Sequence, residues 1–426
     1  MSTETPTETT TTTTTTSTKK KKGFVPREVF EVSGQIAKSY FIGHHRKALH
    51  EMGKVLANIG LVIECRDSRV PLSSRSRVLE TALATRERVI VYTKAHLSTP
   101  KQTWPTKAEE LLARWQGTWD EMDAARTTKT SDVLFTDVED PRSIARLIDV
   151  LKARAAAHNS ILGLRAFIVG LPNAGKSALL NALRNAGMQN ATKAARTGAQ
   201  VGVTRKVSQP VRIIPATPPP SSSLDDDSAH GSGGNADALD VGEGVFVVDT
   251  PGVFHSYIQE PETMLKLALV GSVKDWIVPA EIVVDYLLFR LNLLDPSLYA
   301  HLCAEPTNDV DAFLTAVALR TGKLVKGGGP SLVGAAVWVV KQWRDGLLGR
   351  FCLDDLTPDA LDAVLEKVDA KREEKLSLSQ ARKRDKEARK LLHLARKKKD
   401  AELFEMRQAL AAEVEAETRG GSGSGR

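Results

Sequence analysis

Lys176 and Ser177 close the segment Gly170-Leu171-Pro172-Asn173-Ala174-Gly175-Lys176-Ser177, whose spacing of glycine, lysine and hydroxyl suits it to hold phosphate. Backbone N–H groups of such a loop, here from Asn173, Ala174 and Gly175 through Lys176, Ser177 and Ala178, surround the phosphate oxygens. The lysine adds a point charge, and the Ser177 hydroxyl is a hard oxygen ligand for Mg²⁺. A second group stands at Asp249-Thr250-Pro251-Gly252. An aspartate there holds the same Mg²⁺ through water, while the Gly252 N–H senses the terminal phosphate. Between the two, Gly202-Val203-Thr204-Arg205 offers Thr204, a hydroxyl that joins the metal when that phosphate is present.

These groups act together only if the chain aims them. The apolar run Ala166-Phe167-Ile168-Val169 predicts a strand entering the loop, and Ala178-Leu179-Leu180-Asn181-Ala182-Leu183 predicts a helix leaving it. That strand–loop–helix setting separates a phosphate loop from a glycine turn with a surface lysine. Val245-Phe246-Val247-Val248 predicts a second strand carrying Asp249 at its carboxyl end.

A GTPase also needs a loop that reads the base, ordinarily N-K-x-D, downstream of D-x-x-G. Nothing after Gly252 fits. Upstream, the apolar run Arg88-Val89-Ile90-Val91-Tyr92 ends in Thr93-Lys94-Ala95-His96, and Asp132-Val133-Leu134-Phe135 ends in Thr136-Asp137. The order is therefore base loops first, then P-loop, switch and D-x-x-G, which is a circular permutation of a Ras-like domain. The base loop departs from the usual pattern, with Thr93 for Asn and His96 for Asp. A carboxylate accepts from both guanine N1–H and the 2-amino group, whereas a neutral imidazole offers one acceptor. One unpaired donor at a buried site costs about 1–3 kcal/mol. GTP remains the expected ligand, bound by Thr93, Lys94, His96, Thr136 and Asp137 at the base and by residues 173–178 and Gly252 at the phosphates.

Four stretches give the chain a family resemblance. Ser39-Tyr40-Phe41-Ile42-Gly43-His44-His45 resembles an F-P-G-H-M leading segment, with His45 in place of Met. Glu64-Cys65-Arg66-Asp67-Ser68-Arg69-Val70-Pro71-Leu72-Ser73-Ser74-Arg75 resembles a D-A-R-x-P-L-S-S-R signature. The P-loop has the form G-x-P-N-x-G-K-S, and Gly346-Leu347-Leu348-Gly349-Arg350-Phe351 resembles a closing segment of a C-terminal domain. Together, from about Ser39 to Leu365, they resemble the circularly permuted ribosome-assembly GTPases, and most closely the mitochondrial GTPase 1 branch.

The resemblance implies an α/β fold: a circularly permuted Ras-like P-loop GTPase domain, then an all-α C-terminal domain and a charged helical tail. It implies GTP hydrolysis in assembly of the large subunit of the mitochondrial ribosome, with rRNA and ribosomal proteins as partners. It implies a mitochondrial matrix location, open to peripheral contact with the inner membrane. For hydrolysis, Val253 follows Gly252 near where Ras-like enzymes carry a glutamine, and an apolar side chain cannot orient water. The resemblance suggests two substitutes. Asn173 matches an asparagine that helps hold K⁺, and His44 matches a histidine used for hydrolysis, delivered on the ribosome. Ser177, Thr204 and Asp249 form the Mg²⁺ set, and His44, Asn173, Thr204 and Asp249 the catalytic set. A helix-capping or core role for His44 stays open. Asp67 and Arg69 are read as a structural pair pinning the turn at Pro71.

The wider sequence frames this reading. Net charge is +7 over 426 residues, and 42% hydrophobic residues suffice for two or three cored domains. Three isolated cysteines, Cys65, Cys303 and Cys352, argue against a disulfide or zinc framework. No apolar run reaches the roughly 20 residues of a membrane span. Residues 1–26 are Thr-rich with Lys19 to Lys22 and are expected to be disordered. They lack arginine and contain Glu4 and Glu8, unlike an ordinary presequence, so a nuclear or cytosolic pre-ribosome role stays open.

Residues 27–257 are expected to hold a helical arm, from about Arg27 to Ile59, and the G domain, with a disordered insert near 215–244. Residues 258–370 should form the all-α domain, with apolar positions at Leu265, Leu267 and Val270, and at Val333, Ala336, Val337 and Val340. Residues 371–426 form a charged stretch with basic clusters at Arg382-Lys383-Arg384 and Arg396-Lys397-Lys398-Lys399. It reads as a solvated helix or short coiled coil, as an rRNA-contacting extension or as a nuclear-targeting segment. With His96 and Val253 in place, a nucleotide-relaxed RNA-binding scaffold is the third alternative.

Overall fold

In the computed structural model the described residues are 24–32, 36, 49–54, 56–83, 86–99, 107–122, 131–158, 162–188, 195, 207–217, 240–255, 258, 260–372 and 386. His44, Thr204, the Thr-rich start, residues 218–239 of the insert and nearly all of the charged stretch beyond 372 lie outside them.

Six strands form one sheet: β1 (Leu61–Asp67), β2 (Glu87–Thr93), β3 (Asp132–Phe135), β4 (Leu164–Gly170), β5 (Val211–Ile214) and β6 (Val245–Asp249). Their spatial order is β3-β2-β1-β4-β6-β5. Neighbours are parallel except the edge pair β5 and β6, which runs antiparallel and is joined through the insert. Starting from β4 and continuing past the chain end to β1, the strands trace the Ras-like order. The permutation thus moves the chain termini without moving the motifs.

The central strands are apolar without interruption, as a parallel sheet covered on both faces demands. Val89, Ile90, Val91 and Tyr92 are all fully buried. One face packs Ile63, Val91 and Ile168 against α3 (Pro141–His158) and α4 (Lys176–Gly187), through Leu147, Leu151, Leu179 and Leu183. The other face is covered in two patches. Val62, Phe167 and Val248 meet Leu79 of α1 (Arg77–Ala82). Ile90 and Tyr92 meet Leu112, Trp115 and Trp119 of α2 (Lys107–Met122), together with Leu361 of α9 (Pro358–Arg372). Each such fully buried aliphatic or aromatic side chain contributes roughly 1.5–3 kcal/mol.

The described chain forms two compact units that cross the boundaries expected from sequence. The sheet unit spans 34–277 and resumes at Arg350, so α5 (Pro261–Leu269) and α9 belong to it. The helical unit joins the N-terminal segment to Val278–Gly349, with α6 (Ala280–Leu294), α7 (Val310–Thr321) and α8 (Leu332–Arg344). Two of its helices begin at side-chain caps. Asp309 accepts from Asp311 N–H and Ala312 N–H ahead of α7, and Ser331 accepts from Gly334 N–H ahead of α8. Gly322 closes α7 in the left-handed region, φ 69°.

The expected helical arm is corrected at its start. Residues 24–32 are irregular, and the first helical residues among those described are 49–54. Pro26 and the β-branched Val25, Val29 and Val32 disfavour a helix. Tertiary contacts hold the segment instead: Arg27 donates to Asp285 at 2.6 Å, and the Phe30 ring meets Tyr286 edge-on at 5.3 Å. No helix among the described residues is long and apolar enough to cross a membrane.

Candidate nucleotide-binding site

The phosphate loop is the turn from β4 into α4. Gly170 sits at φ 144°, and a Cβ there would stand 2.3 Å from the Cys65 carbonyl oxygen, so the approach of β1 demands glycine. The Cys65 thiol, buried beneath the loop, is pushed by burial up to about 12 and is inert as a nucleophile. Gly175 opens α4 from the left-handed region at φ 83°.

Lys176 is buried and donates to the carbonyls of Leu171 (2.8 Å) and Gly170 (3.3 Å). Burial lowers its pKa, and the Asp249 carboxylate opposes that shift. An ammonium on neutral carbonyls in a shielded site is costly, and an entering phosphate would supply counter-charge. The Ser177 hydroxyl donates to Asp249 Oδ2 at 2.7 Å. Two hard oxygen donors thus converge from α4 and β6, a set that fits Mg²⁺ shared with phosphate oxygens.

The D-x-x-G turn lies directly on the phosphate loop. A Cβ on Gly252 would stand 2.6 Å from the backbone of Pro172, so this glycine is required by contact. The Asp249 N–H donates to Ser208 Oγ at 2.8 Å, and the Thr250 hydroxyl to the Ile168 carbonyl at 2.7 Å. Val253 is fully buried beside Val62, Phe167 and Val248, and its N–H donates to Gly170 at 3.2 Å. Its side chain is a core contact, which explains the apolar residue at that position.

The base loops approach from β2 and β3. The Thr93 hydroxyl donates to the Ala174 carbonyl at 2.8 Å, with the Arg66 carbonyl 3.2 Å away. The threonine therefore still ties base loop to phosphate loop. Lys94 takes the left-handed conformation at φ 55°, and among the described non-glycine residues only Asn173, at φ 57°, shares it. Its Nζ donates to the Asn173 carbonyl at 2.8 Å and to Asp67 Oδ2 at 2.9 Å. These bonds hold a backbone strain of about 1 kcal/mol. Asn173 itself donates through Nδ2 to the Gly271 carbonyl at 2.7 Å.

The expected Asp67–Arg69 pair is present: Oδ1 accepts from the Arg69 N–H (3.1 Å) and Nε (3.0 Å), and Oδ2 from Nη2 (2.8 Å). Burial would raise the Asp67 pKa, but Arg69 and then Lys94 hold it below the usual carboxylate range. Sequence reasoning missed that Asp67 also holds Lys94. The only signal is register, since Asp67 pairs with Thr93 across β1 and β2. It missed Asp354 as well, which accepts from the N–H groups of Leu72 and Ser73 at 2.9 Å and from Ser73 Oγ at 2.6 Å. That carboxylate fixes the signature loop from far along the chain, and nothing local announces it.

Thr136 and Asp137 follow β3 beside the base loop. The Ala95 N–H donates to the Thr136 carbonyl at 3.2 Å, and the Thr136 hydroxyl is buried without a hydrogen-bond partner among the described residues. An orphaned hydroxyl at this place suits a ligand group. His96 Nδ1 lies 3.0 Å from Asp137 Oδ2. The structure thus brings together Thr93, Lys94, His96, Thr136, Asp137, residues 173–178, Asp249 and Gly252 at the carboxyl edge of the sheet, where parallel α/β sheets bind ligands. His44 and Thr204 lie outside the described residues.

Comparison with known proteins places the chain in a family. A family profile described as 50S ribosome-binding GTPase matches residues 165–284. Mitochondrial GTPase 1 of Schizosaccharomyces pombe is 34% identical over 355 residues, covering 79% of this chain and 95% of that protein. Mitochondrial ribosome-associated GTPase 1 of Xenopus tropicalis is 28% identical over 346 residues, covering 77% of this chain and 98% of that protein. GNP-bound YlqF from T. maritima, a crystal structure, is 20% identical with a TM-score of 0.44 over 73% of this chain and 98% of its own, a likeness too slight to bear on the fold. A 34% identity spanning nearly the whole of a relative is decisive: the chain belongs to the mitochondrial GTPase 1 family and is a GTP hydrolase.

Proposed function

We propose that this GTPase assists assembly of the large subunit of the mitochondrial ribosome, binding it in the GTP state and leaving after hydrolysis. The observation that carries the reading is the convergence of both base loops, the phosphate loop and the D-x-x-G turn on one sheet edge. The names of the relatives, which refer to mitochondria and to ribosome association, support the cellular setting. In this reading the loop N–H groups and Lys176 bind the β- and γ-phosphates, and the Gly252 N–H senses the γ-phosphate. Ser177, Thr204 and Asp249 would hold Mg²⁺, which when bound neutralises charge between the two phosphates. With Val253 in the core, His44 orients the attacking water once the subunit is engaged, and Asn173 contributes to a K⁺ site. The charged stretch 371–426 contacts rRNA phosphates. Peripheral association with the inner membrane fits the same setting.

GTP turnover by the full chain, alone and with purified mitochondrial large subunits, in K⁺ and in Na⁺, tests this. We expect slow turnover alone, at least about tenfold stimulation by subunits, and loss of rate in Na⁺. Failure to co-sediment with large subunits in the presence of a non-hydrolysable GTP analogue would sink the ribosomal role. The alternative reading is a role on nuclear or cytosolic pre-ribosomes. Fractionation of the tagged protein separates the two.

A further inference from the structure

His96 stands where a base-reading aspartate is usual, and the fold gives it a partner. It lies in a short 3₁₀ turn, Ala95–Leu97, just past β2, while Asp137 lies just past β3. β2 and β3 are parallel, with Tyr92 opposite Phe135, so the loops leaving their carboxyl ends run side by side. His96 Nδ1 is buried and stands 3.0 Å from Asp137 Oδ2, within ion-pair distance though without the alignment of a hydrogen bond. The ring retains 19% exposure, all of it away from Nδ1. Asp137 is itself held: its N–H donates to Ser143 Oγ, its carbonyl accepts from that hydroxyl, and Oδ1 accepts from the Glu139 N–H at 3.0 Å. Oδ2 is the oxygen turned to the imidazole.

A carboxylate only accepts, so the neutral ring beside it carries its proton on Nδ1 and keeps a lone pair on Nε2. Guanine and hypoxanthine both present N1–H at the edge a base loop reads, whereas adenine presents a bare lone pair there. We propose that His96 and Asp137 form a coupled reader of 6-oxopurine nucleotides. His96 Nε2 accepts from N1–H, Asp137 is the positioning residue that sets the tautomer, and the 2-amino group goes unread. This rests on the nucleotide-binding reading above.

Calorimetric titration of the full chain with GDP, IDP and ADP in Mg²⁺ tests it. The expected result is IDP within about threefold of GDP and ADP weaker by about tenfold or more. His96→Asp, which adds a second acceptor, should pull GDP ahead of IDP by about tenfold. Asp137→Asn can donate to Nδ1 and move the ring proton to Nε2, so GDP and IDP should weaken together by about tenfold. Long-range ¹H–¹⁵N spectra of the imidazole read the tautomer without any variant. A wild-type preference for GDP over IDP of about tenfold, ADP binding equal to GDP, or a proton on Nε2 would overturn the proposal while leaving a functional GTPase in place. Absence of binding by all three nucleotides would remove the site itself.

Discussion

The two ends of the nucleotide site are built by different means. At the phosphate end, eight consecutive residues supply the geometry, and Gly170, Gly175 and Gly252 are required by close backbone approach or left-handed conformation. At the base end, three separate segments must meet. β1 brings Asp67 and Arg69, β2 brings Thr93 to His96, and β3 brings Thr136 and Asp137. Their contacts mix backbone bonds, such as Ala95 N–H to the Thr136 carbonyl, with side-chain bonds, such as Lys94 to Asp67, and a side-chain link can be made by more than one residue type. Thr93 illustrates this, reaching the Ala174 carbonyl with a hydroxyl. A site set by local backbone tolerates little change, and one set by tertiary contact tolerates substitution in compensated pairs.

That contrast can be broken most severely at the phosphate end. Lys176→Ala removes the only side-chain charge the loop offers phosphate, and should weaken GTP at least about a thousandfold by calorimetry with little change in melting temperature. Unchanged affinity would refute the site. At the base end, Asp67→Ala removes the carboxylate that both Arg69 and Lys94 hold, which should cost about 3 kcal/mol of stability in denaturant titration. Guanine affinity should fall with it.

Thr93→Val keeps shape but removes the donor to Ala174, for about 1–3 kcal/mol, and Thr93→Asn should recover most of it. If valine binds GTP as well as threonine does, the hydroxyl lock is dispensable and the contrast between the ends weakens. The smallest effect is in acid. His255 receives shielding near the signature loop and lies 3.1 Å from the Ser73 carbonyl, and burial lowers its pKa from 6.5 to about 4. The unfolded chain therefore takes up that proton first, so stability falls as pH drops from about 6.5 to about 4. Because the ring keeps some solvent contact, the loss is about 1–2 kcal/mol. His255→Asn should flatten that part of the pH–stability curve.

The sheet was legible in part for a plain reason: buried parallel strands are continuous apolar runs. β3 was read at its full extent, and β2, β4 and β6 within two residues at either end. The N-terminal segment departs from the expected helix because Phe30 serves contacts with Tyr286 and Phe289, which lie far along the chain. His96 was legible as a departure, but its relation to Asp137 depends on two strands lying in register. Val253 was legible as unable to orient water, whereas its place in the core was not.

The sequence alone determined the strand–loop–helix path that carries Lys176 and Ser177, because a contiguous loop dictates its own backbone. It determined the permutation too, since motif order is a property of the chain. Only the tertiary structure decided how Asp67 serves Lys94, how Asp354 fixes the signature loop, and what stands behind His96. Those contacts join residues dozens to hundreds of positions apart, and spacing along a chain holds no record of which strands become neighbours.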